Sequence, residues 1–155
     1  MRAAGVDVIT YHNDNARTAQ NLSESILTPT TVKVATFGKR TFLPADGRVD
    51  AEPLYLSAVT VPNRGTVNVV YVATEHDSVY AFNADNGDLL WHVSLLGAGE
   101  TTSDTRSCGQ VAPEIGITAT PVIDRSRGPN GALYAIAMSK DGAGHYFQRL
   151  HALDV

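Results

Sequence analysis

The sequence predicts an all-β fold built from antiparallel hairpins, and three stretches carry that prediction. In the first, Val67, Val69 and Tyr71 alternate with Asn68, Val70 and Val72, and Val79, Ala81, Asn83 and Asp85 alternate with Tyr80, Phe82 and Ala84. A period of two in β-branched and aromatic residues is a strand signal. In the second, Asp85-Asn86-Gly87 supplies residues that tolerate positive φ, so the chain can reverse before Leu89, Leu90 and Trp91 begin another strand. In the third, residues 131–140, the turn Asp141-Gly142-Ala143-Gly144 and residues 146–155 repeat the order strand, turn, strand.

The other elements follow in order. Residues 6–10 read as a short strand leading to Tyr11-His12-Asn13-Asp14-Asn15. In residues 16–27, Leu22, Ile26 and Leu27 have helical spacing. Asn, Ser and Thr are frequent there and compete for backbone hydrogen bonds, so mostly loop is expected. Residues 32–42 read as a strand pair broken at Gly38, and Ala45-Asp46-Gly47-Arg48 as a turn. Residues 51–61 open the first full sheet, with Pro53 near the start, where a missing N–H is tolerated. Residues 97–114 are rich in Gly, Ser and Thr and read as a loop. Long loops in compact domains serve as binding or lid segments, or are plain surface excursions. Residues 115–124 repeat the opening strand, Thr120-Pro121-Val122 matching Glu52-Pro53-Leu54. Helix is expected to be scarce.

The stretch around the Gly87 turn resembles the repeat of pyrroloquinoline quinone (PQQ) β-propellers, Ala-x-Asp-x-x-Thr-Gly-x-x-x-Trp. Ala81, Gly87 and Trp91 match it, while Asn83 and Asn86 depart conservatively. The physical sense is a small residue where blades approach, a turn, and one large apolar group filling the seam. Aligning Ala152 with Ala81 puts Asp154 on Asn83, so the second copy carries the family Asp. Leu27-Thr28-Pro29-Thr30-Thr31-Val32, after the Asn/Asp-rich stretch ending Arg17-Thr18-Ala19, resembles an N-terminal element of quinoprotein dehydrogenases.

The resemblance implies a partial β-propeller. Residues 1–50 would be an N-terminal lead with strands of a preceding blade, and 51–96 the first full four-stranded blade. Residues 97–114 would join blades, and 115–155 would form an incomplete second blade. Val155 falls where the next turn is due, so the chain reads as part of a longer, exported protein, periplasmic or extracellular. The resemblance also places an acidic residue three before Pro-Leu against the quinone. Asp50 takes that position and Glu52 lies beside it. PQQ and calcium are thereby the implied cofactors.

Composition narrows the function classes. The 155 residues are 43% hydrophobic and 18% charged, with a net charge of −4 and no Lys/Arg cluster, which argues against a nucleic-acid surface. No apolar run approaches the roughly 20 residues of a membrane helix. Cys108 is the single cysteine, so no internal disulfide forms, and no neighbouring His–carboxylate pair marks it as a nucleophile. Glu75-His76-Asp77-Ser78 is a dense polar group at a hairpin, read as a hydrogen-bonded turn or a proton relay; neighbours on a strand point to opposite faces, which disfavours a shared metal. Glu114 could face a ligand channel. No catalytic residue is assigned. Two functions stand open: a scaffold propeller that binds a protein partner or itself through open blade edges, and part of a PQQ- and calcium-dependent alcohol or sugar dehydrogenase. Trp91→Ala is expected to cost roughly 3–5 kcal/mol if the ring is buried between blades.

Overall fold

A computed structural model describes residues 5–155. Strands β1 (Leu54–Val61), β2 (Gly65–Ala73), β3 (Ser78–Asn83) and β4 (Leu89–Ser94) form a four-stranded antiparallel sheet in chain order. The second sheet contains β5 (Glu100–Asp104), β6 (Glu114–Ile115), β7 (Val122–Asp124), β8 (Ala132–Asp141) and β9 (Tyr146–Asp154). The long β8 pairs with β9 along one edge; along the other it pairs with β7 near its start and β5 near its end. Among the described residues the only helical element is a 3-10 turn, Gly109–Val111.

The Asp85-Asn86-Gly87 turn forms as its residues dictate. Gly87 has φ +85° and its N–H donates to the Asn83 carbonyl at 2.8 Å. The Asn83 side chain accepts from Asp85 N–H at 2.9 Å. That is the task a carboxylate would perform, so Asn at this repeat position loses nothing.

The two sheets repeat one another in register. Tyr71 lies opposite Ala81, and Leu54 opposite Tyr71. Tyr134 lies opposite Ala152, and Val122 opposite Tyr134. The alignment of Ala152 with Ala81, and of Pro121-Val122 with Pro53-Leu54, is therefore also an alignment of the ladders. In the first sheet Trp91 sits across from Ala81, the large group beside the small one.

The sheets pack face to face through one apolar seam. Leu54, Leu56, Val79 and Ala81 from the first sheet meet Ile123, Leu133, Ala135 and Ala137 from the second, with Ile117 between β6 and β7. Tyr80 and Phe82 point to the opposite face of β3, where Leu43 and Ala45 cover them. Burial on both faces explains why β3 is an almost unbroken buried run. Trp91 packs against the seam without being fully buried, its ring 5.9 Å from Tyr71. It lines a cleft of about 320 Å³ with Pro62, Gly131 and Val155. Trp91→Ala should therefore cost about 2–3 kcal/mol, less than a fully enclosed aromatic. A urea denaturation curve measures this, and a loss under about 1 kcal/mol would deny Trp91 a place in the seam.

Several expectations are corrected. Residues 32–42 form no strand; Val34, Phe37 and Phe42 are exposed, because no partner strand lies alongside to accept their backbone. Residues 6–10 contribute a single bridge, Val8 to Tyr55, although Asp7 also accepts from Ser57 and Arg125 and so ties β1 to the turn after β7. The strand expected at 115–124 is reduced to β6 and β7, interrupted by residues 116–121. The expected loop at 97–114 contains β5 and β6. What holds β5 is polar. Arg149 grips both Glu100 oxygens at 2.7 Å and Ser139 donates to one of them at 2.6 Å, while Lys140 and Tyr146 both donate to Asp104. Arg149 and Ser139 draw the Glu100 carboxyl down to about 2.

Candidate functional site

The β2–β3 hairpin brings polar residues to one end of the seam. Thr74 N–H and Asp77 N–H close it, and Asp77 adopts φ 54° to make the reversal. Outside, Asp46 accepts from the Thr74 and Ser78 hydroxyls at 2.9 and 2.7 Å. Inside, the hairpin meets residues 116–118. Gly116 N–H and the Thr118 hydroxyl both donate to Glu75 Oε2, at 2.8 and 2.9 Å, and Ile117 N–H donates to the Thr74 carbonyl.

Alternation along the hairpin separates its charged groups. His76 points outward, its Nδ1 3.0 Å from Glu114, which also accepts from Thr102 at 2.6 Å. Glu114 is thus spoken for by a histidine and a threonine. Glu75 and Asp77 point inward and are wholly buried. Glu75 Oε1 and both Asp77 oxygens have no hydrogen-bond partner. Burial raises the Asp77 carboxyl to about 7, with the negative charge of Glu75 adding to it. The Met138 amide opposes this rise and outweighs the Glu75 charge, although its N–H also donates to the Gly116 carbonyl at 3.2 Å. Burial also raises Glu75, against the Gly116 and Thr118 hydrogen bonds, with Asp50 adding to the rise. Unpaired carboxylates in such a place are costly, and the cost of burying them is what raises both groups. The Glu114 hydrogen bond raises His76.

A cavity of about 400 Å³ opens beside the hairpin, lined by Tyr11, Asp50, Thr118, Ala119 and Thr120. Asp50 stands in its wall, held by Arg48 Nε at 2.8 Å. Glu52 does not present its carboxylate there: Oε2 accepts from His12 N–H at 2.8 Å, and Glu52 N–H donates to Thr120. Its role is to anchor the lead to the second sheet. The resemblance put Asp50 and Glu52 together, and the structure separates them. Asp77 and Glu75, the most perturbed groups, were visible in sequence only as polar residues of a turn. The signal for their burial is Gly116, whose missing side chain admits the hairpin backbone.

The cavity has room for a small ligand but is poorly matched to PQQ. A tricarboxylate quinone needs cationic or N–H partners, and the one charged group in the lining is the carboxylate of Asp50. Arg48 is already committed to Asp50 and the Gln110 carbonyl. Among the described residues no three His, Cys, Asp or Glu side chains converge to hold a metal ion. Tyr11 offers little stacking surface, because His12 lies 3.8 Å from its ring and Arg17 also lies over it. Among the described residues, no helix is long and apolar enough to cross a membrane. Comparison with family models, curated proteins and solved structures finds no match for the chain.

Proposed function

We propose that this chain is a segment of a PQQ-type repeat propeller from an exported protein, acting as a binding scaffold and not as a quinone oxidoreductase. The observation that carries the reading is the shared ladder: Leu54–Tyr71–Ala81 in one sheet and Val122–Tyr134–Ala152 in the next, stacked face to face. Stacked sheets of one repeat are how propellers are built, and two sheets do not close a ring of roughly 4–8 blades. The outer face of the second sheet carries exposed Val122, Ile136 and Leu150, the apolar surface a further sheet or partner would cover.

The dehydrogenase alternative asks Asp50 to face a quinone, and the acidic lining of its cavity opposes that. The test adds PQQ with Ca²⁺ to the protein while following quinone absorbance and the fluorescence of Trp91, the single tryptophan. No saturable change is expected. A saturable change that disappears in Asp50→Asn would establish a quinone site and overturn the scaffold reading.

A further inference from the structure

The cavity beside the β2–β3 hairpin brings two carboxyls together with no donor between them. Asp50 lines it and gives one oxygen, Oδ1, to Arg48 Nε. Glu75 stands behind the same wall. It is wholly buried, its Oε2 accepts from the hydroxyl of Thr118, a lining residue, and its Oε1 has no hydrogen-bond partner. Asp50 is close enough to raise Glu75 by charge and by direct side-chain contact. Ionised carboxylates only accept hydrogen bonds, so neither group can satisfy the other. A buried acceptor left open is costly, and what this place lacks is a donor. Among the described residues no cation lines the cavity. Arg48 is committed to Asp50 and the Gln110 carbonyl, and Arg17 to the Thr10 hydroxyl and the Tyr11 carbonyl.

We propose that this cavity binds a primary ammonium group, seated between Asp50 Oδ2 and Glu75 Oε1. Donors and acceptors match in number. An ammonium carries three N–H donors. The acceptors open to it are Asp50 Oδ2, Glu75 Oε1 and the Thr118 hydroxyl oxygen, whose own hydrogen goes to Glu75 Oε2. A guanidinium fits less well: its planar fork wants both oxygens of one carboxylate, and Arg48 already holds one of those of Asp50. Ca²⁺ takes roughly 6–8 oxygen ligands, more than these groups supply. The alkyl part of an amine has room in about 400 Å³ beside Ala119 and Thr120. A free alkyl amine and the end of a lysine side chain from a polypeptide offer this same chemistry. The site does not depend on the propeller reading, because it is built from Asp50 of the lead, Glu75 of the hairpin and Thr118 of the β6–β7 connection.

Titration with ethylammonium chloride tests the site, read by the backbone amide shifts of Thr118, Ala119 and Thr120 in proton–nitrogen correlation NMR spectra. At about pH 8 alkyl amines remain cations and carboxyls are at their most ionised. Sodium chloride at the same ionic strength is the control for screening. Saturable shifts are expected, complete by about 50 mM for a Kd in the millimolar range. Asp50→Asn and Glu75→Gln each keep the side chain's shape and remove its charge, and each should weaken binding roughly ten-fold or more. Nα-acetyl-lysine methylamide, titrated in parallel, identifies the source. Tighter binding than ethylammonium points to a polypeptide lysine, and weaker binding to a free amine; both support the ammonium site. Shifts that follow ionic strength alone, no saturation by about 50 mM, or wild-type affinity in Asp50→Asn overturn the proposal. Quinone absorbance plays no part in this titration, so the scaffold reading stands or falls separately.

Discussion

Gly116→Ala should be the most damaging single-methyl addition in the protein, lowering stability by about 3 kcal/mol and the melting temperature by about 10 °C. Gly116 lies at the docking point between the β2–β3 hairpin and the second sheet. A Cβ there would stand 2.3 Å from the Glu75 carbonyl oxygen, 2.7 Å from its carbon and 2.8 Å from Asp77 N. All three are backbone atoms, so no side chain can rotate to make room. Relief would require the hairpin to withdraw by an ångström or so, breaking the Gly116–Glu75 and Ile117–Thr74 hydrogen bonds together. The cost would come from contact alone, because Gly116 is not among the glycines with positive φ. Gly142→Ala is the matched control: nothing lies within 4 Å of its Cβ and its φ is also not positive, so its effect should stay within about 0.5 kcal/mol. Thermal melts of both variants decide the matter, and equal melting temperatures would refute the close backbone approach.

That docking point marks where the sequence stops being informative. The hairpins β2–β3–β4 and β8–β9 are legible because alternation and the Gly87 and Gly144 turns are local properties, written within a few residues. The Tyr–Ala pairing is legible for the same reason, through the repeat. Strand β5 was not: Glu100-Thr101-Thr102-Ser103-Asp104 has no apolar side, and its partners Ser139, Lys140, Tyr146 and Arg149 lie more than thirty residues away. Residues 32–42 show the reverse error. Val32, Val34, Phe37 and Phe42 imitate a strand, but a local pattern does not reveal whether a neighbour is present to pair with it. Near the site, Asp50 draws notice through the resemblance to quinoprotein dehydrogenases, by its place three residues before Pro53. The burial of Glu75 and Asp77 does not, since it depends on a glycine some forty residues further along the chain.

The buried pair should make the protein lose stability as the medium turns alkaline. Asp77 has its pKa raised in the fold from 3.8 to about 7. Below pH 4 the folded and unfolded states are both protonated and the group has no effect. Between pH 4 and 7 the unfolded chain gives up this proton while the folded chain keeps it, so folding becomes less favourable by about 1.4 kcal/mol per pH unit. Above pH 7 both states are ionised and the loss, about 4 kcal/mol in all, is complete. Glu75 is also raised and acts with the same sign. So does His76: the bond to Glu114 raises its folded pKa, giving stability that is present below its unfolded value of 6.5 and lost as pH passes the folded one. His151, lowered by burial, opposes them at pH values below its unfolded 6.5, where its neutral form is the one that fits. Glu100, drawn down to about 2, changes only in acid below this window. Urea denaturation at pH 5, 6, 7 and 8 should show wild-type stability falling steadily. Asp77→Asn, neutral at every pH and nearly the same shape as the protonated acid, should fall by only the His76 and Glu75 share. The variant should therefore exceed wild type by about 4 kcal/mol at pH 8 and by only about 1.5 kcal/mol at pH 5. Parallel curves for the two proteins would mean that Asp77 is ionised in the fold throughout, with a partner for its carboxylate that the buried hairpin does not supply.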